Sequence, residues 1–279
     1  MTPIETADRA QVLVEALPYI KRFYGQKIVI KLGGNAMEQR KQETLLDVVL
    51  LRYVGMNPVL VHGGGPEITA MGERLGLKAE FKNGLRVTDA KTMEVVKMVL
   101  TGKINPDLVA SLNRLGAQAV GMSGEDGPSI IADALDSDLG FVGKVTQVNS
   151  EPIEALIGRG YIPVLASIGL GYDGNAYNIN ADTVAAEIAV ALGASKLILL
   201  TDVAGVLDRS GQVINELKRD EATRLIGDGA VSGGMIPKLQ ACLRALDAVP
   251  FAHVIDGRTP HSLLVELFTD HGIGTMVTP

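Results

Sequence analysis

Apolar residues recur along this chain in two alternating rhythms. Near the start, Leu13, Leu17, Ile20 and Tyr24 return at helical spacing, with Glu15, Lys21 and Arg22 off the stripe. That spacing predicts an amphipathic helix over Thr6–Tyr24. Pro18 falls inside it and is expected to kink it. The apolar stripe has two readings: it packs on another subunit, or it folds back on the chain's own core. From Lys27 onward, short apolar runs alternate with longer helical stretches. Lys27–Leu32 ends at Gly33-Gly34, and a helical pattern follows through Leu51. Pro58–His62 ends at Gly63-Gly64-Gly65, and Pro66 then opens a helix, where the missing amide proton costs nothing. Further runs lie at Ala117–Met122, Ile162–Ile168, Lys196–Leu200 and His253–Ile255. Helical stretches at Ala90–Leu100, Pro106–Leu115, Asp182–Leu192 and Ile236–Ala245 separate most of them. Strands spaced by helices predict an α/β fold with a mostly parallel sheet covered on both faces. Ser129–Val148 breaks the rhythm, with Asp133, Asp136, Asp138, Gly140 and Gly143 between short apolar runs, and predicts β-hairpins. A division into lobes is expected near Ile168–Asn180, which is rich in Gly, Asn and Tyr.

Composition narrows the function classes. The 279 residues are 47% hydrophobic and 21% charged, enough for one large core or two closely packed lobes. The net charge of −6 argues against nucleic acid as the main partner, because phosphate backbones need a basic surface. It leaves room for a nucleotide, which needs only a local patch of donors. Cys242 is the single cysteine, so no intrachain disulfide forms, and it reads as a small buried apolar residue on a helix. The first residues carry no basic n-region and no long apolar stretch, so no signal peptide is expected. No window approaches the roughly 20 apolar residues that span a bilayer. A cytoplasmic protein without membrane contact is therefore expected.

Several positions could carry chemistry. A literal G-x-G-x-x-G occurs at Gly169, Gly171 and Gly174, but no helix opens there, so it reads as a loop and a false match. The Walker pattern is absent. Gly33-Gly34 and Gly63-Gly64-Gly65 each sit between a strand and a helix, where glycines let several N–H groups face one anion. The plain alternative is two tight turns. Lys31 lies near the end of an apolar strand, and Lys238 near the start of a helix, where a cation opposes the helix dipole. A bound anion would explain both; snorkelling to solvent is the plain alternative. Asp182 precedes a helix and is expected to be its N-cap, a role compatible with holding two cations. Asn178 and Asn180 offer amide donors, and Arg86 could clamp a carboxylate through two donors. His62, His253, His261 and His271 show no metal-ligand spacing, and His62 is expected to pack beside its glycine turn.

Taken in order, the motifs are Lys31-Leu-Gly33-Gly34-Asn35, His62-Gly-Gly-Gly-Pro66, Asn83-Gly-Leu-Arg86-Val-Thr88, Asn178-Ile-Asn180-Ala-Asp182, Thr201-Asp202-Val-Ala-Gly205-Val206, and Gly233-Gly234-Met235-Ile-Pro-Lys238. Together they resemble the amino acid kinase family, from Lys27 to the C-terminus. The resemblance implies a three-layer αβα sandwich around a mostly parallel sheet. Residues 27–175 would form an N-terminal lobe that binds the amino acid. Residues 176–279 would form a C-terminal lobe that binds ATP. It further implies transfer of the ATP γ-phosphoryl group to the side-chain carboxylate of N-acetyl-L-glutamate, a step of arginine biosynthesis. Gly64, Gly65, Arg86, Asn178 and Asn180 would hold that substrate. Lys31 and Lys238 would stabilise the moving phosphoryl group, with Asp182 organising both. Gly33, Gly34, Thr201, Asp202, Gly205, Leu207 and Ser232 would line the nucleotide site, and the Ser129–Val148 hairpins would close over the acceptor. A carboxylate is a nucleophile at pH 7 without a general base, so a site with no catalytic histidine suits this reaction. Mg²⁺ would be held mainly by ATP phosphates rather than by protein ligands.

The N-terminal segment, residues 1–26, resembles the helix of arginine-inhibited members, where it links dimers into a hexameric trimer of dimers. The resemblance then implies an L-arginine site between that helix and the C-terminal lobe, with Tyr19, Lys218, His261, Glu266 and Gly272 as candidates. A nitrogen-signalling protein is a further candidate partner that the sequence leaves open. Two rivals stand beside this reading. A kinase of a one-carbon-longer aminoadipate derivative in lysine biosynthesis is barely separated by the motifs, though the N-terminal helix favours the arginine pathway. A non-catalytic nucleotide-binding regulator of the same fold is disfavoured by retention of Lys31, Lys238 and Asp182 together.

Overall fold

The computed structural model describes residues 6–270 and 272–279. The expectations that touch residues 1–5 and His271 lie outside the described residues. At the centre is an eight-stranded sheet. Across it the strands run Glu216–Lys218, Thr275–Thr278, Ala252–Asp256, Lys196–Thr201, Lys27–Leu32, Asn57–His62, Ile162–Ala166 and Ala119–Ser123. Neighbours pair in parallel except Ala252–Asp256 with Thr275–Thr278, which is antiparallel. The mostly parallel sheet expected from the alternating rhythm is thus observed.

Side chains alternate across a strand with a period of two, and here the alternation separates two cores. Val29, Val59, Val61, Leu165, Leu197, Leu199 and Val254 face one layer, which includes Val184 and Ile188 of the helix Ala181–Ala191 and Leu239 and Cys242 of the helix Met235–Ala245. Ile28, Ile30, Leu60, Ile198, Leu200 and Ile255 face the other, with Leu45 and Val48 of the helix Gly34–Tyr53 and Leu263 and Leu267 of the helix Ser262–Phe268. Strands buried on both faces read as continuous apolar runs, which is why they stood out in the sequence. Cys242 is a buried free thiol in that first layer, as expected, and burial pushes its pKa up.

A second sheet has four strands. Ile130–Ala134 and Gly143–Val148 form the expected hairpin, and Ile168–Leu170 pairs antiparallel with Ala176–Asn178. The G-x-G-x-x-G segment is therefore the strand and turn of a hairpin, not a phosphate loop. Ala90–Val99 and Asn105–Arg114 are joined through a π-helical turn, Leu100–Ile104, so the two expected helices form one broken rod.

The N-terminal helix runs Thr6–Phe23 with Pro18 inside it, so the proline does not end it. Phe23 is buried, but Leu13, Leu17 and Tyr24 of the expected stripe are exposed. Of the two readings, folding back on the chain's own core does not hold for those three residues.

Candidate active site

Two strand ends build the site. Val29 and Lys31 share one face of the central strand, the face covered by the helix Ala181–Ala191. Lys31 is buried there, with Nζ 2.9 Å from Asp182 Oδ1. Lys238, in the first turn of its helix, places Nζ 3.2 Å from Asp182 Oδ2. Asp182 is buried, which alone would raise its pKa. The ammonium groups of Lys31 and Lys238 outweigh that and hold it below the ordinary carboxylate range. The result is one carboxylate between two ammonium groups, a cluster with one net positive charge. Asp182 is not the helix cap that was expected. Asn180 is: its Oδ1 accepts from the N–H of Asp182 and of Thr183. That frees Asp182 for the lysines. It also fixes the Asn180 amide, leaving Nδ2 as its donor for a ligand.

Gly64, Gly65, Arg86, Asn178 and Asn180 line one cleft, together with Ala181 next to Asp182. The structure therefore brings together the acceptor residues expected from the motifs. Arg86 is buried, and its Nη2 donates to Gly65 O at 2.9 Å and to Thr69 Oγ1 at 2.6 Å. The guanidinium lies over the Phe81 ring at 4.8 Å, and burial lowers its pKa. No carboxylate pairs with Arg86 among the described residues, so it presents positive charge to the cleft. Asn178 Nδ2 donates to Thr88 Oγ1 at 3.2 Å. Phe81–Lys82 and Leu85–Arg86 form a small hairpin over this cleft, tied to the Asp136–Gly140 turn by a Lys82–Asp138 ion pair of 2.7 Å.

Of the residues expected at the nucleotide, Gly33 packs against the neighbouring strand. A Cβ there would lie 2.4 Å from Leu200 O and 3.0 Å from Lys31 Nζ. Gly34 opens the next helix. Thr201 is buried at its strand end, Asp202 is exposed, and Gly205, at φ 151°, packs on Thr275. Leu207 and Ser232 are exposed, Leu207 bridging to Val213 across a turn. Gly33→Ala is expected to lower the melting temperature by several degrees, since overpacking costs about 1–3 kcal/mol. Gly65→Ala, with nothing within 4 Å of the added carbon, is the control that should melt as the wild type does. Equal melting of both would refute this account of Gly33.

The five candidates for a regulatory site divide. Tyr19, Glu266 and Gly272 line a cavity of about 460 Å³ between the N-terminal helix and the strand-end loops. Lys218 and His261 do not. Lys218 is exposed ahead of the helix Arg219–Gly227, and His261 is turned to Asp47 Oδ1 at 2.7 Å. The cavity is lined instead by Lys196 and His253, with Arg22 and Asp270. Both Lys196 Nζ (2.9 Å) and His253 Nδ1 (2.8 Å) meet Glu266 Oε1.

The model of the amino acid kinase family matches residues 26–256. The chain belongs to the amino acid kinase family. Similar curated proteins include the acetylglutamate kinase of Caldanaerobacter subterraneus subsp. tengcongensis, 54% identical over 96% of this chain and 93% of that one. The acetylglutamate kinase of Synechococcus elongatus is 53% identical over 97% and 92%. Among solved structures, a Streptococcus mutans UA159 protein superposes with TM-score 0.80 at 33% identity, covering 90% of this chain and 98% of that one. N-acetylglutamate synthase of Neisseria gonorrhoeae superposes with TM-score 0.85 at 24% identity, which shows shared fold; this chain spans 63% of its length. As a family member, the chain is an ATP-dependent kinase that acts on a carboxyl group. No helix among the described residues is long and apolar enough to cross a membrane, and no cluster of three or more His, Cys, Asp or Glu there could hold a metal. Both oxygens of Asp182 are taken up by lysines.

Proposed function

We propose that the protein phosphorylates the side-chain carboxylate of N-acetyl-L-glutamate with MgATP, giving the acyl phosphate and ADP in arginine biosynthesis in the cytoplasm. The observation that supports it most is the adjacency of two differently built halves. A cleft of glycine amides, Arg86, Asn178 and Asn180 abuts the Lys31–Asp182–Lys238 cluster through Ala181. In this reading Arg86 takes the α-carboxylate, and the asparagine amides take the remaining oxygens. Gly64 and Gly65 aim N–H groups at the reacting end. The acceptor carboxylate attacks the γ-phosphorus as the bond to the β,γ-bridging oxygen breaks. Lys31 meets negative charge on the transferring oxygens, and Lys238, at its helix start, meets charge on the leaving side. Mg²⁺ carried by the nucleotide would, when bound, supply further charge neutralisation. Residues 27–175 serve chiefly the acceptor, joined by Asn178 and Asn180, and the rest of 176–279 chiefly the nucleotide, with Thr201 to Leu207 and Ser232 along the base and ribose.

The cavity at Tyr19, Lys196, His253, Glu266 and Asp270 is the proposed feedback site for L-arginine. Carboxylates of Glu266 and Asp270 suit a guanidinium, and Lys196 and Arg22 suit a carboxylate. The exposed stripe Leu13, Leu17 and Tyr24 is the proposed contact with a second copy in a hexamer. The test is trapping with hydroxylamine: MgATP and N-acetyl-L-glutamate should give a hydroxamate, and L-arginine should suppress it. No hydroxamate from a protein that binds ATP would withdraw the substrate. Undiminished hydroxamate at saturating arginine would withdraw the regulator and leave the substrate standing.

A further inference from the structure

His62 ends its strand two residues before the acceptor glycine Gly64 and takes no part in the chemistry above. It is buried, and burial lowers its pKa to about 4, so the ring is neutral at working pH. Its Nδ1 lies 3.0 Å from Gly63 O. A carbonyl can only accept, so the ring proton sits on Nδ1, and Nε2 is left as an acceptor. Asn105 Nδ2 fills that place at 3.0 Å and spends its other proton on Val164 O at 2.9 Å. The Asn105 Oδ1 sits over Gly121, where an added Cβ would come within 1.8 Å. Both ring nitrogens of His62 and the Asn105 amide nitrogen are thereby assigned.

The consequence falls on Gly64. In a trans peptide the Gly63 carbonyl and the Gly64 N–H point in opposite directions. Tying the carbonyl to His62 turns the Gly64 N–H away from the ring, and Gly64 lines the cleft proposed for the acceptor. From another direction Leu100 and Ile104, the first and last residues of the π-helical turn, press on the same glycine. An added Cβ at Gly64 would lie 2.2 Å from Ile104 Cδ1 and 2.8 Å from Leu100 Cδ2. The residue that follows this turn is Asn105. A π-turn carries one extra residue per turn, and such turns gather at functional sites. Here the extra residue lets Leu100 and Ile104 seat the glycine while Asn105 reaches His62.

We propose that His62, held by Asn105, is a positioning residue that aims the Gly64 N–H into the acceptor cleft through its Nδ1 bond to the Gly63 carbonyl. The proposal rests on the cleft being the acceptor site. It is separable from the choice of acceptor, because its test compares two variants and has a readout without substrate. An asparagine at position 62 places an amide donor near the site of Nδ1, whereas a glutamine reaches toward the site of Nε2. His62→Asn should keep kcat within about threefold of wild type. His62→Gln should lose about 100-fold in kcat, the scale of one misaimed donor, with KM for ATP unchanged. Asn105→Ala, which frees the ring without removing it, should lose about tenfold. Amide exchange of the 63–68 segment, measured without any substrate, should be faster in His62→Gln and unchanged in His62→Asn. Wild-type turnover of N-acetyl-L-glutamate checks the acceptor by itself. Equal loss of kcat in the two position-62 variants, or equal exchange in both, overturns the proposal. If His62→Gln does not fold, Asn105→Ala and the exchange of His62→Asn decide it: wild-type kcat in Asn105→Ala, or fast exchange in His62→Asn, counts against it.

Discussion

Lys31→Ala should lower kcat by about three orders of magnitude while the protein stays folded. Three charges meet at this point, and the two ammonium groups outnumber the one carboxylate. Removing Lys31 takes the net charge of the cluster from plus one to zero where phosphoryl oxygens must pass. A single aimed donor is worth about 10²–10³ in rate, and a cationic finger on a phosphoryl group about 10³–10⁵. A thousandfold loss corresponds to about 4 kcal/mol of transition-state stabilisation. Folding should survive, because Asp182 keeps Lys238 at 3.2 Å. Asp182→Ala should behave differently, leaving two ammonium groups side by side without a counterion, and should lose stability as well as rate. Lys31→Arg should recover only part of the loss, since a planar fork does not fit where a compact point charge sat against Gly33. The measurement is kcat by coupled ADP release alongside a melting curve for each variant. Lys31→Ala activity within tenfold of wild type would remove Lys31 from the proposed chemistry.

The parts of this fold that were legible share one property: a local pattern dictated them. Lys27–Leu32 and Asn57–His62 are buried on both faces, so each appears as a mostly apolar run followed by glycines. Glu216–Lys218 and Thr275–Thr278 were not seen, because strands of three or four residues are too short to show a period. The hairpin at Arg86 could have been found. Asn83 and Gly84 both have positive φ, at 53° and 78°, the signature of a tight Asn-Gly turn. The cap was misplaced by two residues because Asn180 and Asp182 are both good capping types, and only the observed hydrogen bonds choose between them. The cleft proposed for the acceptor joins residues more than a hundred positions apart, from Gly64 to Asn180, so ordered motifs and not periodicity carried it. Lys196 and His253 were missed for the opposite reason. They lie within strands that read as plain core, and their partner Glu266 is on the helix that follows the strand Ala252–Asp256. Nothing local in the sequence marks a lysine as buried beside a carboxylate 70 positions away.

That buried cluster yields the second large effect: Glu266→Ala should melt about 10 °C below wild type at pH 7. Lys196, His253 and Glu266 are all buried. One oxygen of Glu266 faces both Lys196 and His253, and the other accepts from the Ile273 N–H at 3.2 Å. Without the carboxylate, the Lys196 ammonium keeps only the faces of Phe23 and Phe251, at 5.5 and 5.9 Å. Stranding a buried charge in this way costs about 3–5 kcal/mol, or about 10 °C for a chain of this size. Replacing both partners, as Lys196→Met with Glu266→Met, should recover most of it, since a well-packed apolar pair can match a buried ion pair. Acid gives an independent check. Burial alone would raise the Glu266 pKa, but His253 and Lys196 pull it from 4.5 to about 2. A depressed carboxylate contributes stability that is full above pH 4.5 and is lost as pH falls toward 2, about 3 kcal/mol in all. The gap between wild type and Glu266→Ala should therefore be widest at neutral pH and close progressively below pH 4.5. Glu266 also walls the proposed arginine cavity, so a second difference follows. A ligand that binds the native state raises its stability in proportion to RT ln(1 + [L]/Kd). Millimolar L-arginine should raise the melting temperature of the wild type and leave that of Glu266→Ala where it was. An equal rise in both would detach Glu266 from arginine binding, and a variant melting within 2 °C of wild type at pH 7 would show the carboxylate is not what keeps Lys196 buried.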